Sequence, residues 1–126
     1  MKKGCSPTRL VYNEPMPHIV IEYSVSLKPQ LDITNVMQSC VQILTKSKQF
    51  DPSAIKARAL SYSDVILAEN VTDFVHVTLS IIEGRSVDIR RQLTQSVYRQ
   101  LRTLIPQDSI VVTVDLKEIN KATYCK

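Results

Sequence analysis

Glycine is almost missing from this sequence, at two of 126 residues, and tryptophan is absent altogether. So little glycine argues against a loop-rich architecture. Cysteine is sparse as well: Cys5, Cys40 and Cys125 are odd in number and lack the close spacing of a zinc site or a disulfide framework. No apolar run is long enough to cross a membrane. Neither a glycine-rich phosphate loop, a Ser-His-Asp arrangement nor metal-ligand spacing occurs. Met1-Lys2-Lys3 opens like a secretory signal, but Gly4-Cys5-Ser6-Pro7-Thr8-Arg9 supplies none of the apolar core that such a signal needs. A reducing, cytoplasmic setting is therefore expected.

What is present fits one domain. Hydrophobic residues make up 44% and charged residues 22% of the chain, enough for a small core and too regularly patterned for disorder. The 16 basic and 12 acidic residues leave a formal charge of +4, which favours anionic ligands only weakly. Arg90, Arg91, Arg99 and Arg102 fall along one helical stretch, but no aromatic platforms interleave them, so a solvated helix face explains them and nucleic acid is not expected as a partner.

Residues 1–15 carry Gly4, Pro7, Asn13 and Pro15 without a sustained period, which predicts an irregular arm, with an upstream start codon or a dispensable tail absent from the mature protein as the plain reading, ahead of a single domain over 16–126. From Ile19 the period becomes two, with Ile19, Ile21 and Tyr23 on one face and His18, Val20 and Glu22 on the other. Asp32 or Thr34 can cap a helix in which Val36, Met37, Cys40, Val41 and Leu44 recur at three- and four-residue spacing. On that stripe Cys40 is expected to be a small buried thiol. Lys46 and Lys48 suit the helix end, where the dipole favours cations.

A second strand is expected over about 55–67, with Lys56, Arg58, Leu60 and Tyr62 on one face, and a third over 73–82, with Val75, Val77, Leu79 and Ile81 on one face. Gly84-Arg85-Ser86 turns the chain, Ser86 capping a helix that carries Val87, Arg90, Leu93, Val97, Leu101 and Leu104 on or near one stripe. A last strand follows at 110–114, and the polar tail from Asp115 is expected to pair with a neighbouring chain. The order is β-α-β twice, an internal repeat by pattern. It predicts an α+β, two-layer fold: a four-stranded mixed sheet with both helices on one face. The other face, carrying Val20, Leu60 or the Val75-Val77-Leu79 set, calls for cover by further subunits.

Met16-Pro17 stands directly before the first strand. If translation starts at Met16 and the methionine is removed, Pro17 becomes a free secondary amine; if the chain begins at Met1, its nitrogen is an amide without basicity. A proline that merely begins a strand is the plain alternative. A free terminal amine has a pKa near 8, and burial with nearby cations brings it toward neutrality, so such a group can take a proton from an enol and return it elsewhere. Arg85 precedes a helix whose positive dipole end disfavours a cation, which suggests an anion held by guanidinium and backbone N–H groups together; a solvated loop arginine is the alternative. Lys56 and Arg58 form a second cationic pair on one strand face. His18, directly beside Pro17, can line the pocket, though it points to the opposite side of the strand, whereas His76, inside a strand, is expected to be structural. Glu22 and Asp73 form no recognisable carboxylate pair.

Pro17-His18-Ile19-Val20-Ile21-Glu22, Ile55-Lys56-Ala57-Arg58, and Asp73-Phe74-Val75-His76-Val77-Thr78-Leu79 leading into Gly84-Arg85-Ser86 together resemble the 5-carboxymethyl-2-hydroxymuconate isomerase family of the tautomerase superfamily, from Met16 to about Glu118. The resemblance implies a homotrimer, no metal and no organic cofactor, a role in aromatic-acid breakdown, and a catalytic amino-terminal proline at Pro17. It also implies that Arg85 binds a substrate carboxylate or oxyanion. Lys56 departs from an expected arginine, keeping the charge but losing the planar fork that suits a carboxylate. The expected function is thus a cofactor-independent isomerase that moves a proton in a conjugated enol dicarboxylate, with Pro17 as base and acid and Arg85, Lys56, Arg58 and His18 binding substrate. Two alternatives remain: a tautomerase of a smaller 2-oxo acid, and a non-catalytic trimeric anion binder whose Pro17 is blocked.

Overall fold

The alternation that starts at His18 folds as β1 (His18–Ser24), burying Ile19, Ile21 and Tyr23 and leaving His18, Val20 and Glu22 on the opposite face. The computed structural model describes residues 16–126, so the irregular arm expected over residues 1–15 lies outside the described residues. After β1 come α1 (Ile33–Lys46), β2 (Lys56–Tyr62), β3 (Asp73–Ile82), α2 (Val87–Leu104) and β4 (Ile110–Ile119). The strands lie in the order β2-β1-β3-β4; β1 runs parallel to β2 and antiparallel to β3, and β3 runs parallel to β4. The expected duplicated β-α-β unit and mixed sheet are therefore what the chain forms.

Local chemistry fixes the helices. Of the two expected caps for α1, Asp32 serves, its Oδ1 accepting from the Asn35 amide at 3.1 Å. Ser86 Oγ does the same for the Ile89 amide of α2 at 3.2 Å. Gly84, at φ +126°, takes the turn into that cap through a conformation that other residues avoid. Beyond α1, Lys48 adopts a left-handed φ of 63° and ends the helix. Val36, Cys40 and Leu44 from α1 and Leu93, Val97 and Leu101 from α2 join Ile19, Ile21, Val75, Val77 and Leu79 in one buried cluster, which places both helices on one sheet face. Burial pushes the Cys40 thiol up to about 11, so it is an inert core residue. Cys125 is disulfide-bonded, which the wide cysteine spacing did not suggest.

Three expectations need correction. The second strand ends at Tyr62 rather than Leu67, because β1 leaves the sheet after Ser24, the partner of Tyr62; farther on, Ile66 is fully exposed. The last strand reaches Ile119 rather than Val114, because β3 offers Thr78–Ile82 as partners to Asp115–Ile119. That stretch therefore pairs within its own chain. The Val75-Val77-Leu79 set is core, so the face without helices carries Val20, Leu60, Phe74 and Val111 amid polar residues.

Candidate functional site

Pro17 is buried at the start of β1, and its carbonyl accepts the Lys56 amide at 3.1 Å, the first link of the β1–β2 ladder. Its nitrogen is bonded to the carbonyl carbon of Met16 through a cis peptide bond, and the Met16 side chain is 0% exposed. In this form Pro17 has no basic lone pair. The β1–β2 register sets His18 beside Lys56 and Val20 beside Arg58 on the helix-free face. The expected cationic pair Lys56 and Arg58 and the expected pocket residue His18 are thus brought together on that face by pairing alone. Lys56 Nζ donates to the Ala54 carbonyl at 3.0 Å.

Arg58 Nη1 lies 3.3 Å from His18 Nδ1, and a guanidinium can only donate, so Nδ1 carries a lone pair and the ring is neutral. Its proton then sits on Nε2, 3.2 Å from the Tyr124 hydroxyl oxygen, which accepts it. The two rings meet edge-on, at 6.3 Å and 75°. Burial holds the His18 imidazole below its ordinary range, and the Arg58 and Lys56 cations push it the same way. Tyr124 was not singled out from the sequence. Nothing local marks it, since it joins the site through a tail that turns back after β4.

Arg85 occupies the expected place between β3 and α2, but its guanidinium points inward. Only 6% exposed, it donates from Nε to Gln49 Oε1 at 3.2 Å, from Nη1 to the Ile82 carbonyl at 3.2 Å and from Nη2 to the Gln49 carbonyl at 2.6 Å. Its Cζ lies 4.5 Å from the centroid of the Phe50 ring. Ile82 is two residues beyond Ser80, the partner of His18, so Arg85 sits at the Pro17 end of the sheet while holding protein atoms. His76 Nδ1 is 2.6 Å from Thr113 Oγ1, four residues along β3 from that end, as befits a structural histidine. Glu22 accepts a hydrogen bond from Tyr62, and Asp73 accepts one from Ser26, so the two carboxylates belong to separate pairs. Among the described residues no group of three His, Cys, Asp or Glu side chains converges to hold a metal, and no helix is long and apolar enough to cross a membrane.

The shared sequence pattern of the 5-carboxymethyl-2-hydroxymuconate isomerase family matches residues 17–126. A 5-carboxymethyl-2-hydroxymuconate Delta-isomerase from Escherichia coli is 22% identical over 111 residues, which is 83% of this chain and 88% of that protein. The crystal structure of a 5-carboxymethyl-2-hydroxymuconate isomerase from Deinococcus radiodurans R1 superposes with a TM-score of 0.82 at 26% identity, covering 93% of this chain and 92% of that one. A fused 4-OT wild type symmetric trimer shares the fold, with a TM-score of 0.61 at 20% identity over 82% of this chain and 85% of its own.

The buried guanidinium predicts that Arg85→Ala, by stranding the Gln49 and Ile82 carbonyls, lowers stability by about 2–3 kcal/mol in denaturant unfolding. A change within about 0.5 kcal/mol, as for a surface residue, would instead mark an arginine kept for a ligand. The depressed His18 pKa sets the sign of a second expectation. Neutral His18 stabilises the fold fully above its unfolded value of 6.5, and that contribution is lost as pH falls through the lower folded value. In an NMR titration of the His18 ring the midpoint should fall below 6.5, and Arg58→Ala should raise it. A midpoint at or above 6.5 in the unsubstituted chain would refute the neutral ring.

Proposed function

Because the chain belongs to the 5-carboxymethyl-2-hydroxymuconate isomerase family and is an isomerase, we propose that it shifts a proton within a conjugated enol dicarboxylate, with the Pro17 amine as base and acid once Met16 is removed. The observation that carries this reading is the cationic cluster next to the start of β1, where strand pairing gathers Lys56, Arg58 and His18 on one sheet face and the Pro17 carbonyl accepts the Lys56 amide. The family match opens on Pro17, which supports that residue as the working amino terminus.

The chemistry follows from the charges. A terminal amine has a pKa near 8 in water, and a buried site flanked by cations disfavours its protonated form, leaving a usable lone pair near neutral pH. That lone pair takes the enol O–H proton; the electron pair left on oxygen forms the carbonyl and the π-system shifts, raising electron density at a distant carbon. The protonated amine then delivers the proton to that carbon, so no group outside the amine and substrate changes its proton count. Lys56 and Arg58 hold a carboxylate of the substrate and hold down the amine pKa. Arg85, committed to Gln49 and Ile82, shapes the end of the sheet that carries Pro17.

A second reading has one observation in its favour. With Met16 attached the Pro17 nitrogen is an amide and the methionine is buried, so the 126-residue form is an isomerase fold with its base blocked. The two forms give opposite outcomes. Protein starting at Pro17 should isomerise 5-carboxymethyl-2-hydroxymuconate, and either protein starting at Met1 or Pro17→Ala should be slower by about 100-fold or more. Equal rates in all three would sink the proline mechanism.

We also propose that the working form is a homotrimer. Leu60 at 55% and Val111 at 38% exposure lie with Val20 and Phe74 on the face that no helix covers, and a symmetric trimer is among the proteins that share the fold. Sedimentation of the Pro17-starting protein should give three times the monomer mass, with Leu60→Lys shifting it toward the monomer. A monomer at micromolar concentration would overturn this.

A further inference from the structure

The tail beyond β4 is built to bring one side chain back across the sheet. β4 pairs with β3 as far as Ile119, and the Glu83 amide donates to the Ile119 carbonyl at 3.0 Å. Asn120 Oδ1 then accepts the Ala122 amide at 2.9 Å, and Glu83 Oε2 accepts the Lys121 amide at 2.9 Å, which fixes a single 3-10 turn at Lys121–Thr123. The next residue, Tyr124, is half-buried against His18, which adjoins Pro17.

The direction of the hydrogen bonds along this line is forced. Arg58 donates to His18 Nδ1, His18 Nε2–H donates to the Tyr124 oxygen, and the phenol therefore has its own proton left to give. Among the described residues no other hydrogen-bond partner meets that hydroxyl. A phenol that accepts from a ring N–H polarised by a guanidinium is a stronger donor than one in water, since successive hydrogen bonds reinforce one another. It is also neutral, so it can meet an oxygen whose charge grows during reaction without adding to the cations already present.

We propose that Tyr124 is a substrate-contacting hydrogen-bond donor, held by the Arg58–His18 pair and aimed at the oxygen that changes between enol and carbonyl. The inference rests on the proton-shift reading of the Pro17 site and adds a residue to it. Arg58 and His18 act here as positioning residues for the phenol. As the proton leaves for Pro17, the oxygen becomes an enolate and the Tyr124 hydrogen bond to it strengthens; when the carbonyl forms, the bond weakens and no proton has been exchanged with the phenol.

The test uses protein starting at Pro17 and the variant Tyr124→Phe, with two measurements. In turnover of 5-carboxymethyl-2-hydroxymuconate the variant should lose about 100-fold in kcat with KM little changed, the size seen when one oxyanion donor is removed. In calorimetric binding it should weaken 2-oxoadipate, a dicarboxylate that carries the 2-oxo oxygen, by about tenfold, and leave adipate, which lacks that oxygen, unchanged. A variant with kcat and 2-oxoadipate affinity within twofold of the parent would overturn the assignment, as would equal weakening of both dicarboxylates or no binding of 2-oxoadipate by the parent. If the parent turns over no substrate, the isomerase reading fails by itself, and selective loss of 2-oxoadipate still upholds Tyr124 as the oxygen's partner. Should Tyr124→Phe fail to fold, Glu83→Ala, which releases the tail from outside the site, takes its place with the same readouts.

Discussion

The structure depends on the two-sided pairing of β1. Buried backbone groups must find partners, and β1 finds them in β2 on one edge and β3 on the other, with opposite strand directions. This double ladder fixes its register, and the register decides what stands beside Pro17. A slip of one residue would exchange the faces, taking Ile19 and Ile21 out of the core and driving His18 and Glu22 into it. The same alternation that excludes water from the helix side therefore delivers Lys56, Arg58 and His18 to the other side.

On that other side, charge is segregated along the strands. Cations gather at the level of His18, where Lys56 and Arg58 flank the ring, while Glu22 lies deeper along β1 with its carboxylate bound by Tyr62. The Glu22 carboxylate is thereby held away from the Pro17 end of the strand. His18 is kept neutral by its surroundings, which lets it accept from Arg58 and donate to Tyr124 instead of adding a further positive charge. In this way three polar side chains from distant parts of the chain behave as one oriented set.

Much of this was legible in the sequence, for identifiable reasons. Period-two and period-3.6 patterns gave the elements, and a duplicated β-α-β order with one apolar face per helix left few ways to stack them. The positions of Lys56, Arg58 and His18 followed from alternation on adjacent strands. Strand lengths were less readable because each strand stops where its partner does: β2 ends when β1 leaves the sheet, and β4 continues as long as β3 accompanies it. The inward turn of Arg85 was hidden because its partners, Gln49 and Ile82, are a loop residue and a strand end whose carbonyls carry no sequence signal. Tyr124 was hidden by distance, being 106 residues from the histidine it meets.

Arg85 joins the two repeats of the fold. Gln49 belongs to the loop between α1 and β2 in the first β-α-β unit, and Ile82 ends the opening strand of the second, so one guanidinium, backed by the Phe50 ring, fastens the halves just beyond the end of the shared ladder of β1 and β3. With that bolt at one end and the continuous sheet through the middle, opening either repeat would strand a buried guanidinium or the carbonyls that it holds.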